Sequence, residues 1–450
     1  MSYAVLAASL RSAMQRNDHT AISHIVAEMQ PADIADFARY EPAYTVLALL
    51  MQLPEAQRGP TFGYLETEQQ RDIGEKMTDE ELAKLAATMD ADERADLFHL
   101  VAPGRQPAIL RQLSQKERDD LTKLASYAEG TAGAVMTSEY VSVPVTIDVA
   151  EALSLLRASA PDAETIYQVY CVDKEGRLQG TVSLRQLILA APHQCVEELM
   201  VSEVVFASVE TPQEEVSRLI AHYDLLALPV INGGDRLVGI VTYDDAMDVA
   251  AEEATEDMHK GVSVGKLEGS LRSVSLFELY RKRVVWLVLL VFANIFSGAG
   301  IAYFEETIEA YIALVFFLPL LVDSGGNAGS QAATLMVRGM ATGDVRTRDW
   351  AKLLGREVGV ALALGLTMAL AVSVVGIFRA GSEIALVVAL SMVLIVTVGS
   401  LIGMILPFIL QRFKLDPATA SAPLVTSIAD ASGVLIYFAL ATAILGLPTP

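Results

Sequence analysis

The sequence predicts a multidomain chain: an α-helical superhelical N domain, an α/β pair, a connecting helix, and an all-α transmembrane domain of five helices. Three observations predict it. Long apolar stretches follow one another after Arg281, a β-rich pattern occurs twice in the middle, and helix-start signals recur between residues 67 and 125. With 450 residues, 52% of them hydrophobic and 20% charged, the chain is too apolar for disorder and long enough for several domains.

The first domain is expected over residues 1–132. The N-terminus lacks the basic region of a signal peptide, so Val5 to Leu10 reads as the start of a helix. Thr67 with Gln70, Thr78 with Glu81, Asp90 with Glu93 and Ser114 with Glu117 have the spacing at which two side chains cap each other's free backbone N–H groups. Leu82, Leu85 and Met89, then Leu97, Leu100 and Val101, give such short helices apolar faces to bury. A small helical superhelix satisfies that need.

Two copies of an α/β unit follow, over 133–196 and 197–256. Met136-Thr137-Ser138-Glu139 recurs as Met200-Val201-Ser202-Glu203, and Gly180-Thr181-Val182-Ser183 is echoed by Gly239-Ile240-Val241-Thr242. The pair resembles CBS (cystathionine beta-synthase type) motifs, which associate in twos and often bind adenine nucleotides such as ATP. The second copy fits that family's Gly-x-x-Thr-x-x-Asp ending, which makes Thr242 and Asp245 its nucleotide candidates. In the first copy, Ser183-Leu184-Arg185-Gln186 lacks the acid.

Residues 246–280 read as a linking helix, its connecting part assigned to 257–280. Its start is crowded with Asp244, Asp245, Asp248, Glu252, Glu253, Glu256 and Asp257. Glu252 and Glu256 are four apart, as are Glu253 and Asp257, so like charges repel along one helix face. A divalent cation relieves that repulsion; a solvated helix face is the other reading.

The membrane domain is expected over 281–450, because about 20 apolar residues cross a bilayer as a helix. Five spans are read at 284–303, 310–335 (interrupted by a glycine-rich stretch), 355–378, 384–410 and 419–446. Arg281 to Arg283, the bases from Arg338 to Arg356, and Arg412 with Lys414 mark the cytoplasmic loops. This orientation places the N-terminal domains in the cytoplasm and the C-terminus, with its uncharged Leu447-Pro448-Thr449-Pro450, outside.

Charge separates the halves. Residues 1–280 hold 45 acidic and 22 basic side chains, whereas the remainder holds 10 and 11. A net charge of -22 argues against nucleic acid as a partner and for cations. Two cysteines exclude a disulfide scaffold or a cysteine-based zinc site.

Ionisable groups at bilayer depth are expensive and mark ion pathways. Asp430 lies near the middle of the last span with no base in that span, and Asp323 adjoins Gly325-Gly326-Asn327-Ala328-Gly329-Ser330-Gln331. Irregular backbone there is tolerated only when buried in protein or lining a wet cavity, with Asn327, Gln331 and Thr334 offering oxygen ligands; close helix packing is the other reading of the glycines. An all-oxygen set suits a hard cation such as magnesium, which sheds its waters reluctantly.

Pro319-Leu320-Leu321 running into Gly325 to Gln331, then Thr334-Leu335-Met336-Val337-Arg338-Gly339, together with Asp416-Pro417-Ala418 and Thr426 to Gly433, resembles the MgtE family of magnesium channels and transporters. The likeness covers nearly the whole chain. It implies a homodimer in the lipid of a bacterial plasma (inner) membrane, with one pore formed by the second and fifth spans of both copies. The candidate pore residues are then Asp430, Ala429 and Pro423 with Gly325, Gly326, Asn327, Gln331 and Thr334, Asp430 holding a hydrated magnesium ion. It also implies regulatory magnesium at Asp90 or Asp92, at Asp224, Asp245 and Asp248, and at Glu253, Glu256 and Asp257. Asp416, which the resemblance implies joins the membrane part to the linking helix, is a further regulatory magnesium candidate. High cytosolic magnesium would close the pore.

The resulting expectation is a magnesium channel mediating uptake, gated by internal magnesium, and not an enzyme. No Gly-x-x-x-x-Gly-Lys-[Ser/Thr] phosphate loop is present, and all six histidines precede the apolar half. The alternatives are a secondary transporter exchanging divalent ions for protons or sodium, and a membrane receptor whose CBS pair senses nucleotide.

Overall fold

A computed structural model of the chain describes residues 3–265, 267 and 274–446. They divide into two units, the first running to Glu253 and the second beginning at Ala254.

In the first unit, ten helices from Tyr3–Gln15 to Gln115–Leu124 precede the first strand among the described residues. Leu10, Ile34, Leu49, Phe62, Ile73 and Leu82 lie in one buried core. Two of the four expected capping boxes form, at Thr78 with Glu81 and at Ser114 with Glu117. The other two do not. Glu66, not Thr67, is the N-cap of its helix, and Gln70 instead donates to the carbonyls of Phe62 (2.9 Å) and Gly63 (3.0 Å). Asp90 is an N-cap without a side-chain bond. The carboxyl of its partner Glu93 is turned against Gly63, where a Cβ would lie 2.0 Å from Glu93 Oε1.

The α/β pair is built as the repeats imply. β1 (Tyr140–Pro144) is parallel to β2 (Thr165–Val172), which is antiparallel to β3 (Leu178–Ser183). β4 (Ala207–Ser208), β5 (Ala227–Ile231) and β6 (Leu237–Thr242) repeat that order. The segments before each copy are exchanged: Thr137 bridges to Ile240 and Val201 to Thr181. This explains the paired Met and Gly signals, since a Cβ on Gly239 would lie 2.6 Å from Met136 Sδ and one on Gly180 would lie 2.7 Å from Met200 Sδ. Ala91, Ala95 and Leu121 share a core with Val216, Ile220 and Leu228, fixing the helical domain to the second copy.

The linking helix differs from expectation. It spans Tyr243–Gly261 and stops there, with Ser263 in left-handed backbone (φ 57). Glycine followed by Val262-Ser263-Val264 favours an end to the helix. Of the stretch expected to continue it, 266 and 268–273 lie outside the described residues, and helix resumes at Leu276, N-capped by Ser275.

In the second unit the main helices are Leu276–Tyr303, Ala313–Ala341, Trp350–Arg412 and Ala422–Leu445. Among the described residues, three stretches are apolar and long enough to cross a membrane, Leu276–Tyr303, Thr347–Arg412 and Ala422–Leu445, and Ala313–Ala341 is not one of them. The longest bends at Gly381 (φ 85, ψ 172), which separates the expected third and fourth spans. Ala313–Ala341, called the Gly-rich helix below, corresponds to the second. The expected interruption is absent. This helix runs unbroken for 29 residues through Gly325, Gly326 and Gly329, because the glycines serve helix packing rather than backbone exposure. A Cβ on Gly399 would lie 2.2 Å from Gly325 O, and one on Gly403 would lie 1.9 Å from Gly329 O. The expected outer tail, 447–450, lies outside the described residues.

Candidate functional site

The helical continuity of the Gly-rich segment decides what its side chains can do. Asp323, Asn327, Gln331 and Thr334 are four, four and three residues apart, hence on one helix face, and all four are exposed. The opposite face, with Gly325, Ala328, Gly329 and Ala332, is buried. Asn327 Nδ2 donates to Asp323 Oδ2 at 3.0 Å, and Thr334 bonds back to the carbonyl of Ser330 at 2.8 Å.

Asp430 stands beside this face from the last helix. A Cβ on Gly326 would lie 3.0 Å from Thr426 Cγ2 and 3.5 Å from Asp430 Oδ1, so the absent side chain lets the two helices meet at the carboxylate. Asp430 is half-buried. Thr426 donates instead to Pro423 O (2.9 Å), and among the described residues no side chain hydrogen-bonds or ion-pairs with Asp430. Asp323 is close enough for its charge to act on it. Ala429 is buried in helix packing, and Pro423 lies in the first turn of the last helix. Gly325 and Gly326 are packing residues, so their carbonyls are not the freed ligands that an irregular loop would supply.

The second gathering of acids lies within the first unit. A cavity of about 560 Å³ is lined by Asp92, Glu93, Asp96, Asp245, Asp248 and Glu252, among others. Carboxylate oxygens of Glu164, Asp244 and Asp245 lie within 4.8 Å of one another. Among the described residues, buried oxygens Asp92 Oδ1, Glu93 Oε2 and Glu164 Oε2 have no hydrogen-bond partner.

The electrostatic cost is visible in the proton affinities. Burial, and then Asp245, Glu164 and Glu93, holds the Asp92 carboxyl well above the usual range. Burial followed by Asp90 and Asp245 pushes Glu93 to about 8. Burial and Asp245 raise Glu164 to about 7 against the opposing bonds from Thr137 and Thr242, and burial with Glu252 raises Asp96 to about 6. Desolvated like charges without partners are the donor set that a hard divalent ion satisfies. The family resemblance pointed to Asp90 or Asp92 and to Asp245 and Asp248. It missed Glu93, Asp96 and Glu164; Asp92-Glu93-x-x-Asp96 was a readable signal, whereas Glu164 reaches the others only through the fold.

Other expected ligands are engaged elsewhere. Asp224 is exposed in left-handed backbone at the end of the Gln213–Tyr223 helix and does not line the cavity. Glu253 accepts from Gln213 Nε2 at 2.7 Å. In the second unit, Lys260 Nζ lies 2.7 Å from Glu256 Oε1 and 2.6 Å from Asp416 Oδ2, so an ammonium already bridges two expected metal ligands. Asp257 is on the same helix.

The Thr242 hydroxyl donates to Asp245 Oδ2, and Asp245 also lines the acidic cavity. A separate, mostly apolar cleft of about 600 Å³ lies among Tyr167, Leu184, Arg185, Ile188, Leu189 and Leu226.

Comparison with known proteins agrees with this division. Family profiles match at residues 318–440 (MgtE, divalent cation transporter), 29–130 (MgtE intracellular N domain), and 132–193 and 196–252 (CBS domain). The chain is similar to the magnesium transporter MgtE of Thermus thermophilus, 40% identical over 448 residues and 98% of each chain. It is also similar to that of Bacillus subtilis, 34% identical over 93% of each. Among solved structures, the cytosolic domain of the Mg2+ channel MgtE in complex with ATP matches with TM-score 0.52 and 38% identity, covering 54% of this chain and 99% of that one. The soluble part of a magnesium transporter matches with TM-score 0.52 and 30% identity, covering 56% and 100%. From the helical domain through the CBS pair to the glycine-packed membrane helices, the chain belongs to the MgtE family.

Proposed function

We propose that the chain carries magnesium into the cell through a pore lined by the Gly-rich and last helices, and that internal magnesium closes it. The observation that carries this is the exposed row Asp323, Asn327, Gln331 and Thr334 beside Asp430, which has no hydrogen-bond or ion-pair partner among the described residues. Such a row cannot face lipid, where unsatisfied polar groups cost several kcal/mol each. Water or a second copy must cover it, and a homodimer with the row on its axis provides both. One carboxylate per copy, surrounded by amide and hydroxyl oxygens, fits an ion that keeps most of its own waters. The names of the relatives, magnesium transporters and a Mg2+ channel, support the choice of ion.

The acidic cavity supplies the control. Without an ion its carboxylates repel, loosening the helical domain from the CBS pair; with magnesium they share ligands and the unit tightens. The first unit lies in the cytoplasm and the second in the plasma (inner) membrane, with the C-terminus outside. An adenine nucleotide such as ATP would sit in the apolar cleft at Tyr167, Arg185 and Leu226, away from the acids. The reading assigns no catalysis.

The test is magnesium flux into liposomes holding the full chain, with internal magnesium varied. Passive flux that falls as internal magnesium rises supports a gated channel. Flux that requires a proton or sodium gradient would replace it with an exchanger.

A further inference from the structure

The resemblance implies a metal ion between the linking helix and the loop before the last membrane helix, but the residues there do not leave room for one as they stand. Lys260 Nζ is 2.7 Å from Glu256 Oε1 and 2.6 Å from Asp416 Oδ2. The other Asp416 oxygen accepts from the backbone N–H of Ala418 at 2.8 Å. Magnesium binds oxygens at about 2.0–2.1 Å in an octahedral shell, so an ion would compete with the ammonium for Glu256 Oε1 and Asp416 Oδ2. A second contact reinforces the junction: the hydroxyls of Ser263 and Ser421 lie 2.6 Å apart and buried, and Ser421 is the N-cap residue of the helix that carries Asp430.

We infer that Lys260 is a positioning residue, a tethered cation that latches the linking helix to the start of the Asp430 helix without a metal ion. This deepens the gating reading proposed above and rests on it. Part of the closed arrangement is then held even when magnesium is scarce. The lysine also supplies one positive charge where a divalent ion would supply two, so this junction adds little to the magnesium dependence of the gate.

Full-length protein in liposomes, with internal magnesium set low or high, tests the latch by flux. Lys260→Met removes the ammonium and keeps its stem. It should raise flux several-fold at low internal magnesium and increase the ratio of low-magnesium to high-magnesium flux, because an ion can then bridge Glu256 and Asp416. Lys260→Arg should behave as wild type. Asp416→Asn should raise low-magnesium flux as Lys260→Met does, and it decides the matter if the methionine variant fails to fold. The double variant Lys260→Met/Asp416→Asn should lose the added magnesium dependence. If wild-type flux ignores internal magnesium, the gating reading itself is wrong. If wild type is gated and both single variants match it in low-magnesium flux and in that ratio, Lys260 is no latch.

Discussion

The chain concentrates carboxylates in two places, and they are built in opposite ways. Beside the Gly-rich helix, Asp430 stands with one charged neighbour, Asp323, among amide and hydroxyl oxygens on an exposed face. In the acidic cavity Asp92, Glu93, Asp96 and Asp245, with Glu164 beside Asp245, are crowded and partly dehydrated, and among the described residues several of their buried oxygens are unpaired. The first arrangement can hold a water-coated ion only weakly, which a path needs. The second gains a large relief of repulsion when an ion arrives, which a sensor needs.

The sharpest way to break this contrast is to remove the single membrane carboxylate. Asp430→Ala should cut magnesium flux about tenfold or more, equivalent to about 1.4 kcal/mol in the barrier, while the purified protein keeps its elution profile. Unchanged flux would take Asp430 out of the path. Next in size is the packing that shapes the exposed row. A Cβ at Gly403 would meet the carbonyl of Gly329 at 1.9 Å, so Gly403→Ala should lower the unfolding temperature in detergent by an amount corresponding to roughly 1–3 kcal/mol of overpacking.

Smaller effects probe the cavity. Glu93→Gln relieves repulsion among its neighbours, so it should stabilise the magnesium-free protein modestly and shrink the further gain on adding magnesium, both read from thermal unfolding. An equal magnesium shift in variant and wild type would place the ion elsewhere. The pH dependence follows from the raised carboxyls. Because Glu93 and Glu164 bind protons more tightly folded than unfolded, their contribution is complete below the ordinary value of 4.5 and is lost as pH rises through about 7 and then 8. Magnesium-free protein should therefore melt lower on the alkaline side of that window than on its acid side. Added magnesium should stabilise more on the alkaline side, where the ligands are charged.

Local patterns carried much of the fold into view. Apolar stretches and loop charge marked the membrane helices, and the repeated Met-x-Ser-Glu and Gly-x-x-[Ser/Thr] segments marked the CBS pair, where Met136 on Gly239 and Met200 on Gly180 show why those residues recur. Asp430 stood out because no base shares its helix. What stayed hidden depends on distance in the chain. Nothing near Gly325 announces that Gly399 and Gly403 receive it and Gly329, so packing glycines read as an interruption. Glu164 joins Asp245 across two strands of separate copies, and Lys260 meets Asp416 across 156 residues. Such encounters are properties of the fold.

The central claim is that the Asp323, Asn327, Gln331 and Thr334 face meets water, and thiol labelling tests it directly. Single cysteines would be placed at Asn327, Gln331 and Thr334, with Leu370, an exposed apolar residue of the Trp350–Arg412 helix, as the comparison, in full-length protein whose Cys171 and Cys195 have been replaced. A charged, membrane-impermeant thiol reagent should modify the first three and spare Leu370→Cys, and magnesium should slow the reaction nearest Asp430. Failure to label any of the three in folded, active protein would mean that the face is dry.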